Sequence, residues 1–222
     1  CASRLYGSIC VIDSRDIVIW YSSNNTVERN VVERGRYGTH FMYSHDNVAT
    51  DNRMIANVVG IFAMYSRNLR IERNLMARAT GAAGMGLGAK ESGNLQIREN
   101  AIVENSVCIH LDNSPLQPEE WNMFAENDVR GCDVGLSFQG IAERNRFTGN
   151  RFGDNDVQVR IEGGGDARAA EFSGNDWGDY AGYDLDGDGV GDLPYELRSL
   201  AGDLSTRNPQ LRLFRGSPAM WL

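Results

Sequence analysis

The sequence predicts an all-β chain: a right-handed parallel β-helix, a solenoid of ~22-residue coils closed by an aromatic and Asp-rich C-terminal cap. Three observations predict it. Asparagines recur at Asn30, Asn52, Asn74, Asn100, Asn122, Asn145 and Asn175, at intervals of 22, 22, 26, 22, 23 and 30 residues. Two near-identical strands, 38–44 (Gly-Thr-His-Phe-Met-Tyr-Ser) and 60–66 (Gly-Ile-Phe-Ala-Met-Tyr-Ser), lie one interval apart. Apolar residues alternate with polar ones at period two, and amphipathic patterns of helical length are missing.

One such coil cannot bury its inner face alone, so coils stack at the ~4.8 Å spacing of paired strands and equivalent residues lie above one another. An asparagine at each corner can bond its neighbours along the stack and tolerates a left-handed backbone; glycine at the strand start is expected to serve the same conformational purpose. A second asparagine follows five residues later at Asn57, Asn105, Asn127 and Asn150. The position two after the first is apolar: Met54, Met76, Ile102, Phe124, Phe147. A leucine-rich repeat would need several leucines per unit in fixed register, and Asn, Gly, Ile, Val and Met stand there instead. The insertion Thr80–Gly84 should loop out and leave Gly86 opposite Gly60, and a second bulge is expected at Gly163–Asp166. Residues 1–175 read as coils, and 176–222 as a cap and tail over the open end, with a short helix near 196–204.

Composition bounds the function. The 222 residues are 41% hydrophobic and carry a net charge of −8, with 30 acidic against 22 basic residues and no basic cluster, which argues against a nucleic-acid partner. No run of eighteen apolar residues suggests membrane insertion. The chain opens at Cys1 without a Met or an apolar leader and stops on apolar residues, so a trimmed or truncated product is expected. Cys1, Cys10, Cys108 and Cys132 fit no zinc spacing and are too sparse for a disulfide framework; buried or free thiols are the default, and a Cys108–Cys132 bridge between neighbouring coils is the alternative.

Two constellations could hold metal. Asp184, Asp186, Asp188 and Asp192 stand at positions 1, 3, 5 and 9 of a calcium-type loop, with Gly189 at 6 and the Val190 carbonyl at 7. Tyr195 occupies position 12 in place of the bidentate Glu, so the match is partial and any calcium structural. His40 and Met42 share a strand face, with Met64 one coil beyond Met42. Thioethers with an imidazole suit Cu(I), whereas the same methionines could instead form a core ladder. His110 aligns with His40 three coils on, roughly 14 Å at the stacking distance, too far to share an ion. Enzymes built on this fold act on polysaccharides as lyases, hydrolases or epimerases. Their acid–base candidates here would be Tyr43, His45, Asp46 and Asp112, or an Asp133/Asp156 pair, yet no spacing compels a catalytic set.

The strings 40–44 (His-Phe-Met-Tyr-Ser), 61–66 (Ile-Phe-Ala-Met-Tyr-Ser), 84–90 (Gly-Met-Gly-Leu-Gly-Ala-Lys), 111–115 (Leu-Asp-Asn-Ser-Pro) and 179–183 (Asp-Tyr-Ala-Gly-Tyr) resemble the NosD family. The resemblance implies a non-catalytic periplasmic protein that matures the copper sites of nitrous oxide reductase. It implies work beside membrane ABC transporter subunits, with copper received from a lipoprotein chaperone and passed to the reductase. It strengthens His40, Met42 and Met64 as copper ligands and adds Met85 and His110 as secondary ones. A scaffold that only docks partners is a further alternative. Family members are nearly twice as long, with more coils in front and an apolar tail behind. The cap reads Asn-Asp-Trp-Gly-Asp-Tyr (175–180) where the family more often has Asn-Tyr-Trp-Ser-Asp-Tyr.

Overall fold

The computed structural model describes residues 10–13, 16–162 and 166–196. Among these, three sheets of eight, seven and seven strands form a parallel β-solenoid. The long sheet holds Cys10–Asp13, Asp16–Trp20, Tyr37–Met42, Val59–Met64, Met85–Lys90, Val107–Asp112, Val134–Gln139 and Val157–Glu162. Its first strand runs antiparallel to the second, with Cys10 opposite Ile19, and every later pairing is parallel. The two short sheets take mostly three-residue strands between corners.

Stacking turns each inward position into a column. In the long sheet Phe41, Ala63, Ala89, Leu111 and Phe138 follow one another in register, large and small residues filling one volume, each 0% exposed. One short sheet contributes Val32, Met54, Met76, Ile102, Val129, Phe152 and Trp177; the other contributes Val27, Ala49, Ile71, Ile97, Phe124, Phe147 and Phe172. Burying each large side chain contributes about 1.5–3 kcal/mol.

The corner asparagines form ladders, but they sort differently from the sequence expectation. The continuous ladder is Asn30, Asn52, Asn74, Asn100, Asn127, Asn150 and Asn175, each bonding the next through backbone N and Nδ2 to Oδ1 at 2.8–3.0 Å. Asn122 and Asn145 belong to another corner, with Asn25 and Asn47, where Leu69 and Leu95 fill the middle rungs. Phe124 and Phe147 accordingly stack in the sheet of Ile71, and not with Met54. A loop at 115–120 is the cause, because it lengthens its coil to 27 residues between Asn100 and Asn127. That excess of five equals the spacing between two neighbouring corners, so the wrong asparagine falls on the 22-residue beat.

Backbone strain also sits elsewhere. The left-handed residue is the one before each ladder asparagine: Arg29, Asp51, Arg73, Glu99 and Glu126 have φ of 52–57°, and Gly149 and Gly174 follow suit. The asparagine itself is kept for hydrogen bonding. Gly38 is needed for close approach, since a Cβ there would strike the Gly60 carbonyl and Met54. The Thr80–Gly84 insertion does loop out, closed by Gly84 N–H to Gly81 O at 2.9 Å, and Met85 and Leu87 stay level with Val59 and Ile61. A serine ladder in the same turn as Asn25 and Asn47 (Ser22, Ser44, Ser66, Ser92, Ser114) explains the repeated Tyr-Ser pairs: each backbone N–H donates to the next Oγ at 3.0–3.2 Å.

The far end is closed by aromatic stacking, Trp177 on Phe152 at 4.5 Å and Tyr195 on Trp177 at 4.3 Å. Asp176–Trp177 is still a strand of the last rung. The bulge expected at Gly163–Asp166 lies, apart from Asp166, outside the described residues, as does the 196–204 helix beyond Glu196.

Candidate metal site

The outward face of the long sheet carries two columns. One runs Val18, His40, Phe62, Gly88, His110, Ser137; the other runs Trp20, Met42, Met64, Lys90, Asp112, Gln139. Strand alternation puts both columns on one face because Thr39 and Phe41, between them, point into the core. Met42 and Met64 are register partners and only partly buried. The core methionines are Met54 and Met76, both fully buried, so the core-ladder alternative for Met42 and Met64 does not hold.

His40 is 8% exposed and packs against Tyr37, at 4.5 Å, and Phe62, at 5.8 Å, in a three-ring cluster whose Tyr37 and Phe62 rings are themselves 6.1 Å apart. Its Nε2 is buried with no hydrogen-bond partner among the described residues. Burial lowers its pKa, the Arg36 guanidinium adds to the shift, and Asp16 opposes it. The ring is therefore held neutral, as an imidazole able to donate a lone pair. A buried nitrogen without a partner is costly unless something binds it. Two thioethers and an imidazole nitrogen are neutral, soft-to-borderline donor types of the kind that suit Cu(I), and His40, Met42 and Met64 occupy neighbouring register positions of one face.

The structure thus brings His40, Met42 and Met64 onto neighbouring positions. His110 stands three rungs along the same column, as expected, and its pKa is also lowered, by burial first. Met85 leans over Gly88, with Sδ 3.5 Å from the point a Cβ would occupy, between Phe62 and His110. Met85 lies on the strand after that of Met64, and His110 on the strand after that. Sequence reading missed the aromatic frame of Tyr37, Phe62 and Trp20; aligning the Gly38 and Gly60 strands places Phe62 beside His40 and could have found one of them.

The acid–base candidates are engaged elsewhere. Tyr43 stacks between Tyr21, at 4.9 Å, and Tyr65, at 4.8 Å; lost solvation and these neighbours raise its pKa, against a role as base. His45 Nδ1 accepts from the Arg67 N–H at 3.1 Å, and Asp46 accepts from Asn68 at 2.9 Å. Asp112 receives Lys90 Nζ at 2.7 Å. Asp133 and Asp156 are exposed at equivalent corners of successive coils.

At the cap, the carboxylates of Asp184, Asp186 and Asp188 converge within 4.8 Å. Asp184 accepts from Gly187 N–H (2.7 Å) and Gly189 N–H (3.0 Å), and both glycines have positive φ, 76° and 84°. Val190 N–H binds Asp188, and Asp192 is turned back onto Leu185 N–H at 2.6 Å. All three carboxylates are exposed.

Cys108 and Cys132 are joined by a disulfide, Cα–Cα 5.9 Å, in place of the free thiols that were the default reading. Its logic is steric. Cys108 stands level with Gly86, and Cys132 stands in the corner ladder of Asn105 and Asn155. A Cβ on Gly86 would meet Asn105 Nδ2 at 2.8 Å, and one on Gly135 would meet Asn155 Nδ2 at 2.9 Å. Here the glycine and the asparagine are both replaced, and the two cysteines share the vacated space. Cys1 lies outside the described residues, as does the side chain of Cys10.

The chain is a parallel β-solenoid whose longest sheet carries two outward methionines in register and an imidazole with an unpartnered, buried nitrogen. The chain belongs to the NosD family: the family model described as "Periplasmic copper-binding protein (NosD)" matches residues 4–182. A relative from Stutzerimonas stutzeri, described as "Probable ABC transporter binding protein NosD", is 34% identical over 104 residues, 45% of this chain and 23% of that protein. One of the same description from Pseudomonas aeruginosa is 34% identical over 116 residues, 52% and 26%. The matched stretch is thus about a quarter of the length of these relatives. No helix among the described residues is long and apolar enough to cross a membrane.

Proposed function

We propose that this chain is a non-catalytic copper-handling protein of the periplasm, binding Cu(I) through His40, Met42 and Met64. In this reading it works beside ABC transporter subunits, accepts copper from a lipoprotein chaperone and serves maturation of the copper sites of nitrous oxide reductase. Met85 and His110 are a secondary point of contact on the same face. The observation that carries the reading is the unpartnered, buried Nε2 of His40 beside an outward methionine pair, in a family described as copper-binding. The disulfide supports an oxidising compartment and removes two thiolates that would otherwise compete for Cu(I).

The test is Cu(I) titration of the protein against a chromophoric competitor. His40→Ala combined with Met42→Ala should abolish binding; unchanged affinity in that double variant would sink the assignment. Calcium at Asp184, Asp186 and Asp188, with Val190 and Asp192 beside them, is proposed as a structural ion only. Calcium should then raise the melting temperature of the wild type and leave Asp186→Ala unaffected. The polysaccharide-enzyme reading has less support, because Tyr43 is held protonated and Asp112 is ion-paired. Release of new ends from a uronate polymer would revive it.

A further inference from the structure

We infer that Trp20 completes the copper site, laying its indole against a Cu(I) ion held by Met42, Met64 and His40, and selecting that ion over Cu(II). The inference rests on the copper reading above and names a residue that the reading does not use. Trp20 is the register partner of Met42 on the outward face, so its column reads indole, thioether, thioether. Neighbouring strands lie ~4.8 Å apart, which puts the ring within reach of anything bound at Met42. The side chain is 55% exposed, an unusual placement for the largest apolar residue and one that leaves a ring face free.

That exposed ring is braced. Trp20 leans on Tyr21 with centroids 5.6 Å apart and planes tilted by 32°. Tyr21 is stacked on Tyr43, and Tyr43 on Tyr65, so the support is anchored over three coils. The other aromatic rings near the site are spent: Tyr37 and Phe62 stack on His40. Trp20 is left as the ring with a face to offer.

The chemistry of the donor set calls for such a face. Two thioethers and a neutral imidazole bring no negative charge, so a bound monovalent ion keeps its full charge. Along the methionine column the nearest carboxylate, Asp112, lies beyond Lys90 and is paired with it, while Asp16, which acts on His40, accepts from the Tyr37 N–H at 3.2 Å. A π-face attracts a cation electrostatically, and indole is the strongest of the side-chain rings. It also occupies the side from which water would enter, and Cu(II), which favours nitrogen, oxygen and water ligands in a tetragonal field, loses most by that exclusion.

The experiment is titration of the whole chain with Cu(I), and with Ag(I) as a redox-inert monovalent probe, followed by tryptophan emission and by competition. The chain has four tryptophans, so the signal is assigned by comparing wild type with Trp20→Phe and Trp20→Leu. In the wild type the metal should quench part of the emission, and that part should vanish in both variants. Trp20→Leu, which keeps apolar bulk but loses the π-face, should bind Cu(I) about three- to tenfold more weakly, and Trp20→Phe less so. Metal-dependent quenching that persists in Trp20→Leu, with wild-type Cu(I) affinity, overturns the role of Trp20. Cu(I) binding retained by Met42→Ala/Met64→Ala, or absent from the wild type, overturns the site itself. Loss in that double variant alongside unaltered Trp20 variants removes only the indole. Because Trp20 is exposed, its variants should melt with the wild type.

Discussion

Lys90 Nζ donates to Asp112 Oδ2 at 2.7 Å, one rung beyond Met64 in the methionine column. The pairing raises the pKa of Lys90, chiefly through that hydrogen bond, so the ammonium stays charged but is turned toward a carboxylate. Asp112→Asn would leave a positive charge beside a site that binds a cation. Cu(I) affinity should then fall about three- to tenfold at low salt, less at high salt where charges are screened. The double variant Asp112→Asn/Lys90→Met should recover it. Competition titrations at two ionic strengths read the effect, and a salt-independent loss would point to distortion of the strand instead.

The two described histidines with shifted pKa values, His40 and His110, are both displaced downward by burial. Below the unfolded-state value of about 6.5 the unfolded chain binds protons that the folded chain refuses. Stability contributed by these rings is therefore complete above pH 6.5 and is lost as pH falls toward the lower folded-state values. Metal-free protein should show a urea midpoint that drops between pH 7 and pH 5. His40→Phe, which keeps an aromatic ring against Tyr37 and Phe62, should flatten part of that slope. A slope identical to the wild type would mean that His40 titrates normally.

Asn100 sits in the middle of the continuous ladder, accepting from Asn74 at 2.9 and 3.0 Å and donating to the Ile71 carbonyl at 2.8 Å. It is 1% exposed. Asn100→Ala strands a buried N–H and a buried carbonyl, so about 3 kcal/mol of stability should be lost. Asn122→Leu should be milder, because its corner already carries Leu69 and Leu95 on neighbouring rungs. Denaturant midpoints of the two variants compare the corners directly, and equal losses would refute the difference between them.

The coil repeat is legible in the sequence because the Gly38 and Gly60 strands differ at few positions and no insertion separates them. It fails at Asn122 because the 115–120 loop adds a length equal to one corner spacing, so a count of asparagines slips without leaving a trace. Whether Met42 faced in or out was also undetermined. Met42 and Met54 are both methionines one or two positions from an asparagine or serine corner, and only the register separates the partly buried one from the core one. His40 and Met42 were found because their types are chemically distinctive. Trp20 was hidden, since its strand shares neither the glycine nor the methionine of those that follow it.

The disulfide yields the sharpest structural test. Cys108 and Cys132 replace the glycine and asparagine that pair at this corner as Gly86 with Asn105 and Gly135 with Asn155. Removing the cross-link with Cys108→Ala/Cys132→Ala should cost about 3 kcal/mol, the chain-entropy value for residues 24 apart, and should leave a melt insensitive to reductant. Cys108→Gly/Cys132→Asn should regain part of that loss, because the new Oδ1 can accept the Asn105 N–H just as Asn155 accepts that of Cys132 at 3.0 Å. Cys132→Asn alone should be worse than either, as the Cβ of Cys108 would then press on the new side chain, the clash drawn at Gly86 and Gly135. Melting curves of the three variants, with and without reductant, give the order. A single Cys132→Asn as stable as the Gly/Asn pair would refute the exchange of one corner solution for another.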